Sequence, residues 1–180
     1  MYDPTIFDNL KVVLEGGLYD LDREGRIRIS GREDRVDLAS MGRSFRMQFL
    51  LSEDEYGTAE VELSSSLADF ASELARLRLV DFSRPGCRVQ IRYRFPDWNG
   101  DESKIRSIEN ALQDWWSEEV HIQQSIEVTY RTENSYSTSQ QSYMATITFL
   151  KKIDEDHIEE LQALLEHTVA SFKKIACLLR

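Results

Sequence analysis

At 180 residues, 41% of them hydrophobic and 30% charged, the chain has the size of one ordinary domain and can bury a core without disulfides or metal. Its net charge of −10 disfavours generic binding to DNA or RNA phosphate, which calls for a basic surface. No apolar run approaches the roughly 20 residues of a membrane helix, and Met1-Tyr2-Asp3-Pro4 lacks the basic start and apolar core of a secretion signal.

A cytoplasmic protein with no membrane association is therefore expected. Cys87 and Cys177 match no metal or redox spacing and are expected as free thiols.

The N-terminal third reads as strands and turns. Tyr19–Asp22 and Arg26–Ser30 flank Arg23-Glu24-Gly25, where Gly suits a positive φ and a hairpin turn. Phe45, Met47, Phe49 and Leu51 alternate with other residues, as do Ala59, Val61 and Leu63 with Glu60 and Glu62, so each segment predicts a strand with one buried face. The acidic segment 52–58 closes them as a hairpin and sets Arg46 near Glu60 or Glu62. A helix begins after Ser66, with Asp69 three residues on, and places Leu67, Phe70, Ala71, Leu74 and Leu77 on one face until Arg84-Pro85-Gly86 stops it.

Residues 87–95 form the clearest strand, with Cys87, Val89, Ile91, Tyr93 and Phe95 inward and Arg88, Gln90, Arg92 and Arg94 outward. The segment 95–100 is a turn in which Trp98 is expected to be exposed. A second helix presents Ile105, Ile108, Ala111, Leu112, Trp115 and Trp116 on one face. A strand follows with Ile122, Ile126, Val128 and Tyr130 on one side, although Gln124 breaks the series. The polar stretch 132–142 reads as a loop, and Tyr143, Ala145, Ile147 and Phe149 then mark another strand. A long helix from about Glu155 to Leu179 carries the stripe Ile158, Leu161, Leu165, Val169, Phe172, Ala176 and Leu179.

The predicted fold is one α+β domain over residues 1–180, a mostly antiparallel sheet with three helices. Its second half has the ferredoxin-like order strand, helix, strand, strand, helix (βαββα), preceded by N-terminal β-hairpins. The missing edge strand of that unit is filled by the N-terminal strands or by a second subunit.

Motifs for chemistry are absent. His157 and His167 share the predicted last helix, about 80° and roughly 15 Å apart, so one ion cannot bind both. No metal site, cofactor or catalytic residue is assigned. There is no nucleophile elbow, and Gly16-Gly17 and Asn99-Gly100 fit no phosphate loop. Asp20–Gly25 matches only the first half of a calcium loop, and Gly31 stands where the final Glu ligand is needed.

The candidate binding residues are those on the polar sheet face, Arg88, Arg92, Arg94, His121 and Arg131, together with Trp98. Arginine forks match carboxylates and phosphates, while the face lacks the stacking aromatics of RNA-binding sheets. The expected function is a non-catalytic binding, regulatory or protein-interaction module. Its partner is another protein or a second copy in a homodimer, with a small anionic ligand as a further candidate. The alternative is a small-molecule enzyme acting on an anionic substrate through scattered residues: Arg92 and Arg94 hold the anion and His121 moves a proton.

Overall fold

The computed structural model describes residues 5–74, 85–116, 119–133 and 136–179. The chain opens with a helix, α1 (Ile6–Arg23), rather than the strands expected there. Thr5 caps it: its hydroxyl accepts the Asp8 N–H, and the Asp8 carboxylate accepts the Thr5 N–H, a reciprocal capping box. Phe7, Leu10, Leu14, Leu18 and Leu21 form its buried stripe.

Two glycines in this region serve purposes different from the ones the sequence suggests. Gly17 sits inside the helix, where glycine costs about 1 kcal/mol relative to alanine. A Cβ there would lie 2.7 Å from Leu165 Cδ1 and 2.9 Å from Gln162 Oε1, so its absence is what lets a second helix approach. Gly25 does have a positive φ, of 71°. It ends α1 instead of turning a hairpin: its N–H donates to the Asp22 carbonyl and the Arg26 N–H to the Leu21 carbonyl. That is a Schellman cap, which makes the same demand for glycine as a hairpin turn does.

Three antiparallel strands follow in a meander: β1 (Ile27–Asp37), β2 (Gly42–Leu51) and β3 (Asp54–Ser65). The connection between β2 and β3 is two residues long, because the predicted acidic loop is mostly strand. Then come α2 (Leu67–Leu74), β4 (Arg88–Phe95), α3 (Glu102–Trp115), β5 (Val120–Glu133), β6 (Tyr136–Phe149), a short 3-10 turn at Glu155–Glu160, and α4 (Leu161–Leu179). The six strands form one sheet in the order β1-β2-β3-β4-β6-β5, with every neighbouring pair antiparallel.

The α+β class is as expected, with four α-helices among the described residues where the sequence reading has three; the extra one is α1. β6 lies between β4 and β5, so β4-α3-β5-β6-α4 is the ferredoxin-like unit. Its missing edge beside β4 is occupied by β3, from Thr58↔Arg94 to Ser64↔Arg88.

One sheet face carries the core. Phe45, Met47, Phe49, Ala59, Val61, Leu63, Val89, Ile91, Tyr93, Phe95, Tyr143, Ala145 and Ile147 are buried there beneath α1, α3 and α4. Phe172 of α4 stacks on Tyr93 at 5.2 Å, packs on Phe95 at 5.5 Å and meets Phe49 edge-on at 6.1 Å. The Tyr93 hydroxyl donates to the Thr168 carbonyl at 3.1 Å and also meets the Ser171 hydroxyl, so its polar end is satisfied inside the core.

Three local readings need correction. In α2, Leu67 and Ala71 are exposed while Asp69 is buried, so this helix does not present the predicted apolar face. Asp69 is held by Lys152 and Ser66. The predicted remainder of that helix, with Leu77, lies outside the described residues. The stretch 132–142, read as a loop, is strand on both sides of residues 134–135. The last helix starts at Leu161, with His157 in the 3-10 turn before it.

Because Leu14 is fully buried between α1 and the sheet, Leu14→Ala is expected to lower unfolding stability by about 2–5 kcal/mol. Urea denaturation followed by circular dichroism measures it. A change within error of zero would show that α1 is not part of the core.

Candidate functional site

The sheet face away from α1, α3 and α4 holds a chain of alternating charges that crosses four strands. Arg46 of β2 reaches Glu33 of β1 at 3.6 Å, and its Nε lies 3.1 Å from Glu62 of β3 without hydrogen-bond alignment. Arg92 of β4 bonds Glu62 at 2.8 Å and also contacts Glu60 and the Gln90 side chain. Gln48 donates to Glu60 at 2.8 Å. Register produces this arrangement, since Arg46 pairs with Glu62 and Glu60 with Arg92. Burial disfavours charge on Arg92, but hydrogen bonds and attraction from Glu62 and Glu60 outweigh it and raise its pKa above the ordinary arginine value.

The predicted binding residues do not converge on one pocket. Arg88 lines an open groove of about 780 Å³ with Arg35, Arg46, Ser44, Ser64 and Asp69. Arg94 lines a second recess of about 390 Å³ and pairs with Glu127 at 3.0 Å. His121 lines a third, of about 550 Å³, with Glu109, Trp116, Ile122 and Gln124. Arg92 is the half-shielded centre of the charge chain. The backbone of Arg131 sits opposite Thr138 near the far end of β5, and its side chain lies outside the described residues. Thus Arg92 and Arg94 are already engaged by carboxylates where an anionic substrate would have to compete.

Trp98 is the clearest departure from expectation. It is 6% exposed, not a surface anchor. Asp97 adopts φ 57°, the Trp98 N–H donates to the Gln141 carbonyl at 2.8 Å, and the indole stacks on Tyr143 at 5.0 Å. The turn folds its aromatic back under the sheet's helix-bearing face.

Sequence reasoning missed the exposed apolar side chains of β5. The helix-side positions Ile126, Val128 and Tyr130 are 41%, 39% and 73% exposed. Their partners on β6 are Tyr143, Gln141 and Ser139. The signal was present in the sequence: helix-side β6 positions run Ile147, Ala145, Tyr143 and then turn polar at Gln141 and Ser139. That change marks where the helical layer stops and the hairpin continues beyond it. Gln124, the residue that breaks the apolar series, accepts a hydrogen bond from the Tyr143 hydroxyl at 2.7 Å.

The two sheet edges differ sharply. β1 carries Arg28, Arg32, Glu33, Asp34, Arg35 and Asp37, and its register shifts between Ile29 and Gly31. It is also strapped to α1 by Lys11–Asp34 at 2.6 Å and Glu15–Arg32 at 2.5 Å. Charges, bulges and covering elements are the ordinary protections of an edge strand. β5, also at an edge, carries Glu127, Arg131 and Glu133 but keeps an unbroken register with β6 and has no proline, lysine or glycine in its 14 residues.

The two thiols sit in opposite environments. Cys87 is buried and bridges Ile153. Burial, with Asp69 and Glu73 nearby, pushes its thiol up to about 12. Cys177 is exposed. Among the described residues no cluster of His, Cys, Asp and Glu has metal-binding geometry, and no helix is long and apolar enough to cross a membrane.

Compared with protein-family models, curated proteins and solved structures, the chain gives no significant match in any of the three.

Two predictions follow from these environments. At pH 8 a maleimide is expected to label one thiol, Cys177, in the native protein and two in denaturant, read by intact mass; rapid native labelling of both would contradict the buried Cys87 thiol. The second concerns Asp69. Burial alone raises its carboxyl, but hydrogen bonds from Lys152 and Ser66 and the Lys152 charge outweigh this and hold it below the usual carboxylate range. Its folded value is depressed, so its stabilisation is present above the unfolded value of about 4 and is lost as pH falls through the folded value. Asp69→Asn is expected to cost about 1–3 kcal/mol at pH 7 and progressively less below pH 4, by urea unfolding across pH. A cost independent of pH would contradict this.

Proposed function

We propose that this protein is a non-catalytic interaction module whose working element is the edge of β5, which accepts an extended polypeptide strand. The observation that carries this reading is the contrast between the two edges. β1 is charged, bulged and strapped to a helix. β5 is an edge strand whose helix-side row carries the exposed stripe Ile126, Val128 and Tyr130. Strand addition draws affinity from main-chain hydrogen bonds and specificity from alternate side chains. The helix-side row of β5 supplies that alternation, with Glu127 and Thr129 on the opposite face.

The cytoplasm is the compartment this reading implies, with Cys87 and Cys177 both reduced. A nucleic-acid partner is disfavoured by the negative charge and by the carboxylates that occupy Arg92 and Arg94. Enzymatic use of Arg92, Arg94 and His121 would require the Glu60, Glu62 and Glu127 contacts to break on substrate binding.

Peptide display tests the proposal. Wild-type protein, tethered sparsely so that copies cannot meet, is panned against random peptides of about 12 residues, the length of an added strand. Peptides alternating apolar and polar residues are expected to be enriched at least about tenfold over an Ile126→Lys/Tyr130→Lys variant, since like charges and lost apolar pairs both oppose docking. Equal enrichment on both proteins, or none on either, overturns the reading.

A further inference from the structure

The strand best matched to the β5 edge is β5 itself, and we infer that two copies pair antiparallel through β5 about a two-fold axis at Val128. This inference rests on the strand-addition reading above and names its partner.

The argument is one of register. Antiparallel pairing of β5 with a second β5 sets residues of the same face opposite each other, so a two-fold axis must pass through one residue. With the axis at Val128, that residue meets its own copy. Ile126 meets the second copy's Tyr130, and Tyr130 meets the second copy's Ile126. All three exposed apolar side chains are then covered by the same three, in aromatic–β-branched pairs that favour sheets. On the opposite face Glu127 meets Thr129. Glu127 is already paired with Arg94 of its own chain at 3.0 Å, so this carboxylate enters the interface with its charge partnered.

Neighbouring registers are worse. An axis at Glu127 sets this carboxylate directly against its copy, which is destabilising. An axis at Ile126 sets Val128 against Gln124, and an axis at Thr129 pairs Glu127 with Arg131 but sets Ile126 against Thr132, so each leaves one residue of the apolar stripe facing a polar side chain.

The helical layer leaves room for this register. α3 packs against β5, and the half-buried helix-side positions Val120, Ile122 and Gln124 precede the exposed stripe. With the axis at Val128, Ile122 and the second copy's Ile122 are twelve residues apart along the paired strands. At about 3.4 Å per residue that is roughly 40 Å, so the two α3 helices stay clear of each other. An axis at Gln123 would set the two Ile122 positions only two residues apart, roughly 7 Å along the strands and less than one helix diameter with its side chains. The dimer so formed is a single sheet continuous across both copies, with helices on one face and the charge chain on the other.

Cysteine cross-linking and sedimentation together test this. In a Cys177→Ser background, Val128→Cys faces its own copy across the axis and is expected to form an oxidised dimer at least about tenfold faster than Val12→Cys, on the exposed face of α1, because opposed Cβ atoms lie within disulfide reach. Wild type is expected to sediment as a dimer at about 100 µM and Val128→Lys as a monomer with an unchanged urea midpoint, since like charges opposed across the axis repel. A monomeric wild type with no preferential cross-link overturns the self-pairing. So does a dimer that survives Val128→Lys. In either case peptide enrichment dependent on Ile126 and Tyr130 keeps the strand-addition reading alive, and its loss removes that reading as well.

Discussion

Phe172 is the point on which the two layers of this molecule hang. Its ring fills the space among Phe49, Tyr93 and Phe95 at the middle of the sheet, and the Tyr93 hydroxyl binds the backbone of the same helix one turn away. An aromatic cluster of this kind contributes both buried area and preferred ring geometry. It fixes where α4 crosses the strands. α1 can then lie beside α4 only if Gly17 leaves room for Leu165 and Gln162, and α3 takes the remaining side. The helical layer that results is shorter than the sheet. What it fails to cover, the outer part of β5 and β6, is where apolar side chains reach solvent.

The opposite face solves a different problem. On the sheet face away from α1, α3 and α4, charged side chains must be hydrated or paired. Here β3 contributes Glu60 and Glu62 between the arginines of β2 and β4, and each carboxylate serves two neighbours. Single exposed ion pairs are worth little, but these side chains shield one another and are only 13–28% exposed around Arg92. Arginines that look available in the sequence are held by carboxylates from another strand, which moves attention from the face to the edge.

How much of this was legible in the sequence depends on the kind of signal. Alternation in 45–51, 59–63, 87–95 and 143–149 locates β2, β3, β4 and β6, because period two has one structural meaning when a face is buried. α1 is not legible in the same way. Gly16-Gly17 lowers its helical propensity, and Gly25 makes the same φ demand in a Schellman cap as in a hairpin turn. Trp98 could not be placed from its turn, since the burial of a turn aromatic depends on what lies beneath, here Tyr143 from a strand 45 positions later. Residues 132–142 read as a loop because a hairpin reaching past the core is polar on both faces and loses its alternation.

The sequence by itself determined the fold class, the buried face of most strands, the α4 stripe and the balance of charge, since each depends on residues close together in the chain. Only the tertiary structure decided that β3 closes the sheet beside β4, that Arg92 is held by Glu60 and Glu62, and that Ile126, Val128 and Tyr130 project past the helices. Strand order and layer length are set by contacts between residues far apart in the chain, where side-chain packing chooses among pairings that local periodicity leaves equivalent.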